Sequence, residues 1–121
     1  MAIHRSELGL GRIVWVRIED HQGFMKRRPA IILSPTIDIA PNEPVAVMAI
    51  STSFPDPPPP DHLLLPWNAD KRRVATRLPK RSAAVLTWIR MINLDEIEEL
   101  AGWVPTQIMR EIIMRMPPLA D

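Results

Sequence analysis

The residues best suited to chemistry sit beside apolar runs. Lys26-Arg27-Arg28 directly precede Pro29 and the run Ala30-Ile31-Ile32-Leu33, while Ser51-Thr52-Ser53 close a second apolar run that begins at Val45. An arginine held at a strand mouth keeps its charge at any accessible pH and can donate two parallel hydrogen bonds to a phosphate. Three hydroxyls at a neighbouring strand end could donate to the remaining phosphate oxygens. If the two strands adjoin, their ends converge on a site for one anion. The alternative is a basic hairpin and a hydroxyl-rich turn with no joint purpose, and composition alone favours it.

Other chemistries find little support. Cysteine is absent, which removes thiolate nucleophiles, disulfides and Cys-zinc sites, and fits a reducing cytoplasm. The three histidines, His4, His21 and His62, fall in separate regions, so no metal motif is expected and no cofactor is implied. The four glycines form no phosphate-cradling loop before a helix, and no nucleophile elbow is present.

The elements that must position these groups are short. The chain has 121 residues, enough for one domain (1–121). At 46% hydrophobic it has material for a core, so its 14 prolines punctuate a folded chain. Strands are expected at Gly11–Ile18, Pro29–Ser34, Val45–Ser53 and Ala83–Ile92, with weaker ones at His62–Leu65 and Leu100–Val104. Phe54–Asp61 reads as a stiff polyproline II loop, with a lesser reading as an SH3- or WW-domain ligand. Asn93 and Glu96 are spaced to cap a helical turn. From Thr106, Ile108, Met109, Ile112, Ile113 and Met116 recur at helical spacing, and Pro117-Pro118 end the pattern. The sum is an α+β, mainly β architecture: a small barrel covered by one C-terminal amphipathic helix.

The net charge is only +1, from 15 Lys and Arg against 14 Asp and Glu, but it is unevenly spread. Arg12, Arg17, Lys26, Arg27 and Arg28 form one basic group, and Lys71, Arg72, Arg73, Arg77, Lys80 and Arg81 another. The acids Asp95, Glu96, Glu98 and Glu99 come later. A near-neutral total can hide a basic face, or the charges can simply be solvated. No apolar stretch reaches the roughly 20 residues of a membrane helix, and the polar start, Ile3-His4-Arg5-Ser6-Glu7, does not open like a signal peptide.

In this order and spacing the chain resembles the MazF/PemK toxin endoribonucleases. The likeness rests on Gly11-Arg12-Ile13-Val14-Trp15-Val16, on Arg28-Pro29-Ala30-Ile31-Ile32-Leu33-Ser34, and on Ile50-Ser51-Thr52-Ser53. Ala84–Asn93 and Gly102-Trp103-Val104-Pro105 extend it over nearly the whole chain. The resemblance implies an SH3-like β-barrel, usually a homodimer, that cleaves single-stranded RNA without a metal. In that chemistry the RNA's own 2′-hydroxyl attacks the adjacent phosphate, leaving a cyclic phosphate and a 5′-hydroxyl. Arg28 matches the catalytic arginine, and the hydroxyl partner falls on Thr52 or Ser51, with Thr52 preferred. Lys26, Arg27, His21, Ser53, Lys80 and Arg81 would bind RNA, and Trp67 and Trp88 could stack bases unless they lie in the core. The family's loop glutamate is missing: Gly23-Phe24-Met25-Lys26-Arg27-Arg28 contains no acid, and His21 or Asp20 could stand in as base, although a loop histidine is more often solvent-exposed. That departure keeps a non-catalytic RNA-binding module in play. A CcdB-like gyrase poison is less favoured, because the chain ends Leu119-Ala120-Asp121 without an aromatic tail. A cognate acidic antitoxin and a cytoplasmic location are implied by the same resemblance.

Overall fold

The structure is a computed structural model and describes residues 3–117. Six strands, β1 (Arg12–Glu19), β2 (Met25–Ile32), β3 (Val45–Ser51), β4 (His62–Leu65), β5 (Ser82–Ile92) and β6 (Ile97–Trp103), precede one helix, α1 (Thr106–Arg115). The strands form one antiparallel sheet in the order β4-β5-β3-β2-β1-β6.

Side-chain alternation splits the core into two layers. Val14, Val16, Ile18, Ala30, Ile32, Val47 and Ala49 pack on one face with Leu8, Ile39 and Trp88. Ile13, Ile31, Met48 and Ile50 pack on the other beneath Leu78, Met109 and Ile112. Covering the central strands on both faces is why β2 and β3 read as unbroken apolar runs instead of alternating ones.

The sheet ladder does not close on itself, which qualifies the barrel expected from the sequence. β4 and β6 are its edges. The edge of β6 is instead covered by the chain beyond β4: the Gly102 and Trp103 amides donate to the Thr76 and Ala75 carbonyls at 3.1 and 3.0 Å. A side chain at Gly102 would collide with the Ala75 carbonyl. Only glycine permits that approach.

Boundaries move where pairing outweighs composition. β2 begins at Met25, four residues before the expected Pro29, because Met25, Lys26 and Arg27 pair with Glu19, Ile18 and Arg17 of β1. The Asp20 carboxylate tightens this hairpin by accepting the Gln22 and Phe24 amides at 2.9 and 3.0 Å. Gly23 takes a left-handed φ of 88° there. β3 stops at Ser51, leaving Thr52 and Ser53 beyond the ladder, and β6 starts at Ile97, three residues early. The expected turn after Asn93 is a 3-10 turn, with the Asn93 amide donating to the Glu96 carboxylate at 2.9 Å. Helix α1 buries Met109 and Ile112 as its spacing implies, whereas Ile113, from the same expected apolar set, is 47% exposed. Pro118 lies outside the described residues. In the proline-rich loop the Asp56–Pro57 bond is cis.

Candidate active site at the mouth of the central strands

Arg27 and Arg28 are neighbours on β2, so their side chains leave the strand on opposite faces. Arg28 pairs with Val16 and belongs to the face of Val14, Ala30 and Trp88. Its guanidinium lies 4.9 Å above the Trp88 ring, and its Nη2 is 3.7 Å from Asp20 Oδ2. The side chain is only 19% exposed, and Nε is buried with no hydrogen-bond acceptor among the described residues. A buried donor without an acceptor is costly, so this guanidinium is poised to gain from an arriving anion.

Two features hold it there. The Phe24 amide, then the Gln22 amide and nearby Arg28, hold the Asp20 carboxyl below its ordinary range. Trp88 is aimed inward by a bulge in β5. Met48 pairs with Ile89 and Ile50 with Ala84, so two steps along β3 face five along β5. Asp61 fastens the extra residues. Its carbonyl accepts the Leu86 amide at 2.8 Å, and its carboxylate accepts the Thr87 hydroxyl at 2.9 Å. The same carboxylate sits 2.8 Å from His62 Nδ1, and these side-chain bonds, that of His62 foremost, lower its pKa. The Trp88 indole donates to the Glu19 carbonyl at 3.3 Å, and the exposed His21 ring lies 6.0 Å from it.

Arg27 meets a different environment. It stacks 4.6 Å over Trp15 and donates to Glu98 at 3.0 Å and Glu99 at 2.6 Å, while Arg17 approaches Glu98 at 3.6 Å. The late acidic cluster is thus folded back onto the early basic one through the β1–β6 ladder.

The hydroxyls divide in the same way. Ala30 pairs with Ala49 and Ile31 with Met48, so the register extended toward the mouth sets Arg28 across from Ser51 and Arg27 across from Thr52. Ser51 shares the Arg28 face. Its hydroxyl donates to the Ser53 carbonyl at 3.1 Å and accepts the Ser53 amide at 3.3 Å. Thr52 borders a cleft of about 190 Å³ with Trp15, Lys26, Arg27, Arg28, Pro29 and Lys80.

The other candidates separate. Arg81 donates to the Phe54 and Pro55 carbonyls at 3.0 and 3.3 Å and stacks 4.0 Å from the Phe54 ring. Its fork anchors the proline-rich loop and is committed there. Trp67 is 47% exposed, whereas Trp88 is a core residue with one ring face under Arg28. Trp15 carries no site role in the sequence, where it belongs to the Gly11–Val16 motif. Its parity with Arg17 along β1 was the available signal that it leaves the opposite face from Val14 and Val16.

A mainly β sheet with a C-terminal helix and a half-buried arginine at its mouth defines the class as a compact β domain with a cationic group at its strand ends. The chain matches the family described as PemK-like, MazF-like toxin of type II toxin-antitoxin system over residues 10–117 and belongs to it. No curated protein sequence matches it. Among solved structures, MazE-MazF (Form-II) from Deinococcus radiodurans is similar at 18% identity and a TM-score of 0.66, covering 91% of this chain and 92% of that one. MazF (Form-I) from the same organism is similar at 18% identity and a TM-score of 0.66, covering 88% and 89%. MazE-MazF (Form-III) is similar at 18% identity and a TM-score of 0.62, covering 92% and 99%.

Proposed function

We propose that this toxin-family chain is an endoribonuclease that cleaves single-stranded RNA without a metal, by attack of a 2′-hydroxyl on its own 3′-phosphate. The P–O5′ bond breaks as the O2′–P bond forms, leaving a 2′,3′-cyclic phosphate and a 5′-hydroxyl. The observation that carries this reading is the Arg28 guanidinium, half-buried over Trp88 with a buried Nε that has no acceptor among the described residues. Such a group is pre-oriented for the charge that gathers on a pentacoordinate phosphate. Ser51, on the same face by register, donates to a non-bridging oxygen, which reverses the sequence preference for Thr52. Donation to phosphate requires its hydroxyl to leave the Ser53 carbonyl. Asp20 is engaged by two amides and Arg28, so the exposed His21 beside Trp88 is the better proton acceptor for the 2′-hydroxyl. No helix among the described residues is long and apolar enough to cross a membrane. The reading includes a cytoplasmic location, a homodimer and a cognate acidic antitoxin, the last prompted by solved structures of MazE-MazF.

Incubation of the protein with a long RNA in EDTA tests the reaction. Shortened products bearing cyclic phosphates and free 5′-hydroxyls are expected. Retarded but intact RNA would instead establish the non-catalytic binding module, which the acid-free loop Gly23–Arg27 favours.

A further inference from the structure

The proline-rich stretch Phe54–Asp61 takes no part in phosphodiester chemistry, yet it adjoins both halves of the candidate site. β3 and β4 both run antiparallel to β5 and lie on either side of it, so the chain must cross β5 to pass between them. Residues 52–61 make that crossing, leaving β3 directly after Ser51 and entering β4 at His62. At its start Arg81 donates to the Phe54 and Pro55 carbonyls and stacks on the Phe54 ring, which lies 5.5 Å from the His62 ring. At its end His62 Nδ1 meets the Asp61 carboxylate, which accepts the Thr87 hydroxyl, while the Asp61 carbonyl accepts the Leu86 amide. The Pro59 carbonyl accepts the His62 amide at 3.0 Å, and the Pro60 carbonyl accepts from the Arg115 guanidinium of α1 at 2.9 Å. Leu86 and Thr87 lie in the bulge of β5 that presents Trp88 to Arg28.

We propose that this crossing is a strap that positions the Arg28 and Ser51 side chains relative to each other, which rests on the ribonuclease reading of Arg28. Its start fixes where β3 ends, and hence Ser51. Its end grips Leu86 and Thr87 and so sets the depth of Trp88 beneath the guanidinium. Arg81, Asp61 and Thr87 are positioning residues that touch no phosphate. A bulge leaves backbone groups off the ladder, and partners from elsewhere must hold it in one shape. Pro55, Pro57, Pro58, Pro59 and Pro60 restrict the backbone of the crossing, so a displacement at one anchor is carried to the other instead of being absorbed between them. That stiffness matters because a misplacement of about 1 Å can cost about 10²-fold in rate. A polyproline ligand for another protein would present solvated carbonyls, whereas those of Phe54, Pro55, Pro59 and Pro60 are taken within the chain.

The test pairs RNA cleavage by the intact protein with heteronuclear NMR of the Arg28 Nε–H and the Trp88 indole N–H, assigned by their loss in Arg28→Lys and Trp88→Phe. Thr87→Val removes one exposed hydroxyl. It should lower kcat about 10-fold, hold KM within about 2-fold and shift both resonances. Thr87→Ser, which keeps the hydroxyl, should return kcat and both resonances to wild type. Arg81→Gln should likewise lower kcat while leaving KM and the salt dependence of RNA binding unchanged. A raised KM and a shallower salt dependence in Arg81→Gln would overturn its anchoring role and make it an RNA contact. Wild-type kcat with unmoved resonances in Thr87→Val, or equal losses in Thr87→Val and Thr87→Ser, would overturn the strap. In a wild-type protein that cuts no RNA, resonances that still move in Thr87→Val and return in Thr87→Ser would support the strap while removing the ribonuclease reading.

Discussion

Arg27 and Arg28 are identical in type, adjacent in sequence and opposite in circumstance. Arg27 lies 42% exposed, stacked on Trp15 and held by two glutamates. Arg28 lies 19% exposed, with a carboxylate at 3.7 Å and a buried Nε that has no acceptor among the described residues. The first is a charge already answered by its own chain, in an exposed network whose pairs each contribute little. The second is a charge left partly unanswered where solvent screens it less. An arginine's readiness for an external anion is therefore set by the face it leaves from, because only that face decides which carboxylates reach it.

The largest expected effect separates the two arginines. Arg28→Ala should reduce RNA cleavage by about 10³-fold without unfolding the protein, while Arg27→Ala stays within about 10-fold of wild type. Equal losses in the two variants, measured as kcat/KM with circular dichroism as the folding control, would erase the distinction. Next come the strand-end hydroxyls. Ser51→Ala should lower kcat by about 10²-fold, and Thr52→Ala should change kcat by less than about 3-fold while raising KM. The reverse pattern would move the reacting phosphate to the Thr52 side.

The smallest effect concerns pH. The folded Asp20 pKa lies below its unfolded value of about 3.9, so its contribution to stability is present above that value and is lost as pH falls through the folded pKa. The difference in urea midpoint between wild type and Asp20→Asn should therefore be present at pH 7 and shrink toward pH 3. A difference constant over that range would show that the carboxylate's charge contributes nothing to holding the hairpin and Arg28.

Much of the architecture was legible because local rules and tertiary context agreed. The run Ala30–Ile32 could be stable only with both faces covered, and two core layers cover it. The spacing of Met109 and Ile112 buries that side of α1. Legibility failed where pairing overrode composition. Met25, Lys26 and Arg27 look like loop residues, yet β1 supplies their backbone partners and draws them into the ladder. Arg81 reads as a cation available to RNA until the Phe54 and Pro55 carbonyls are found at its fork.

The order of types along the chain by itself determined a mainly β protein with one terminal helix, and it placed an arginine and hydroxyls at the ends of two apolar strands. Those follow from periodicity and from the cost of exposing apolar runs, both of which act over a few neighbouring residues. Only the folded sheet decided that Arg28 rests on Trp88 while Arg27 meets Glu98 and Glu99. Only the sheet put Ser51 and Thr52 on different faces, and only the bulge in β5 turned Trp88 inward. Strand register and bulges join residues dozens of positions apart, and shifting a register by one residue exchanges every face, so these outcomes depend on pairings that no local stretch encodes.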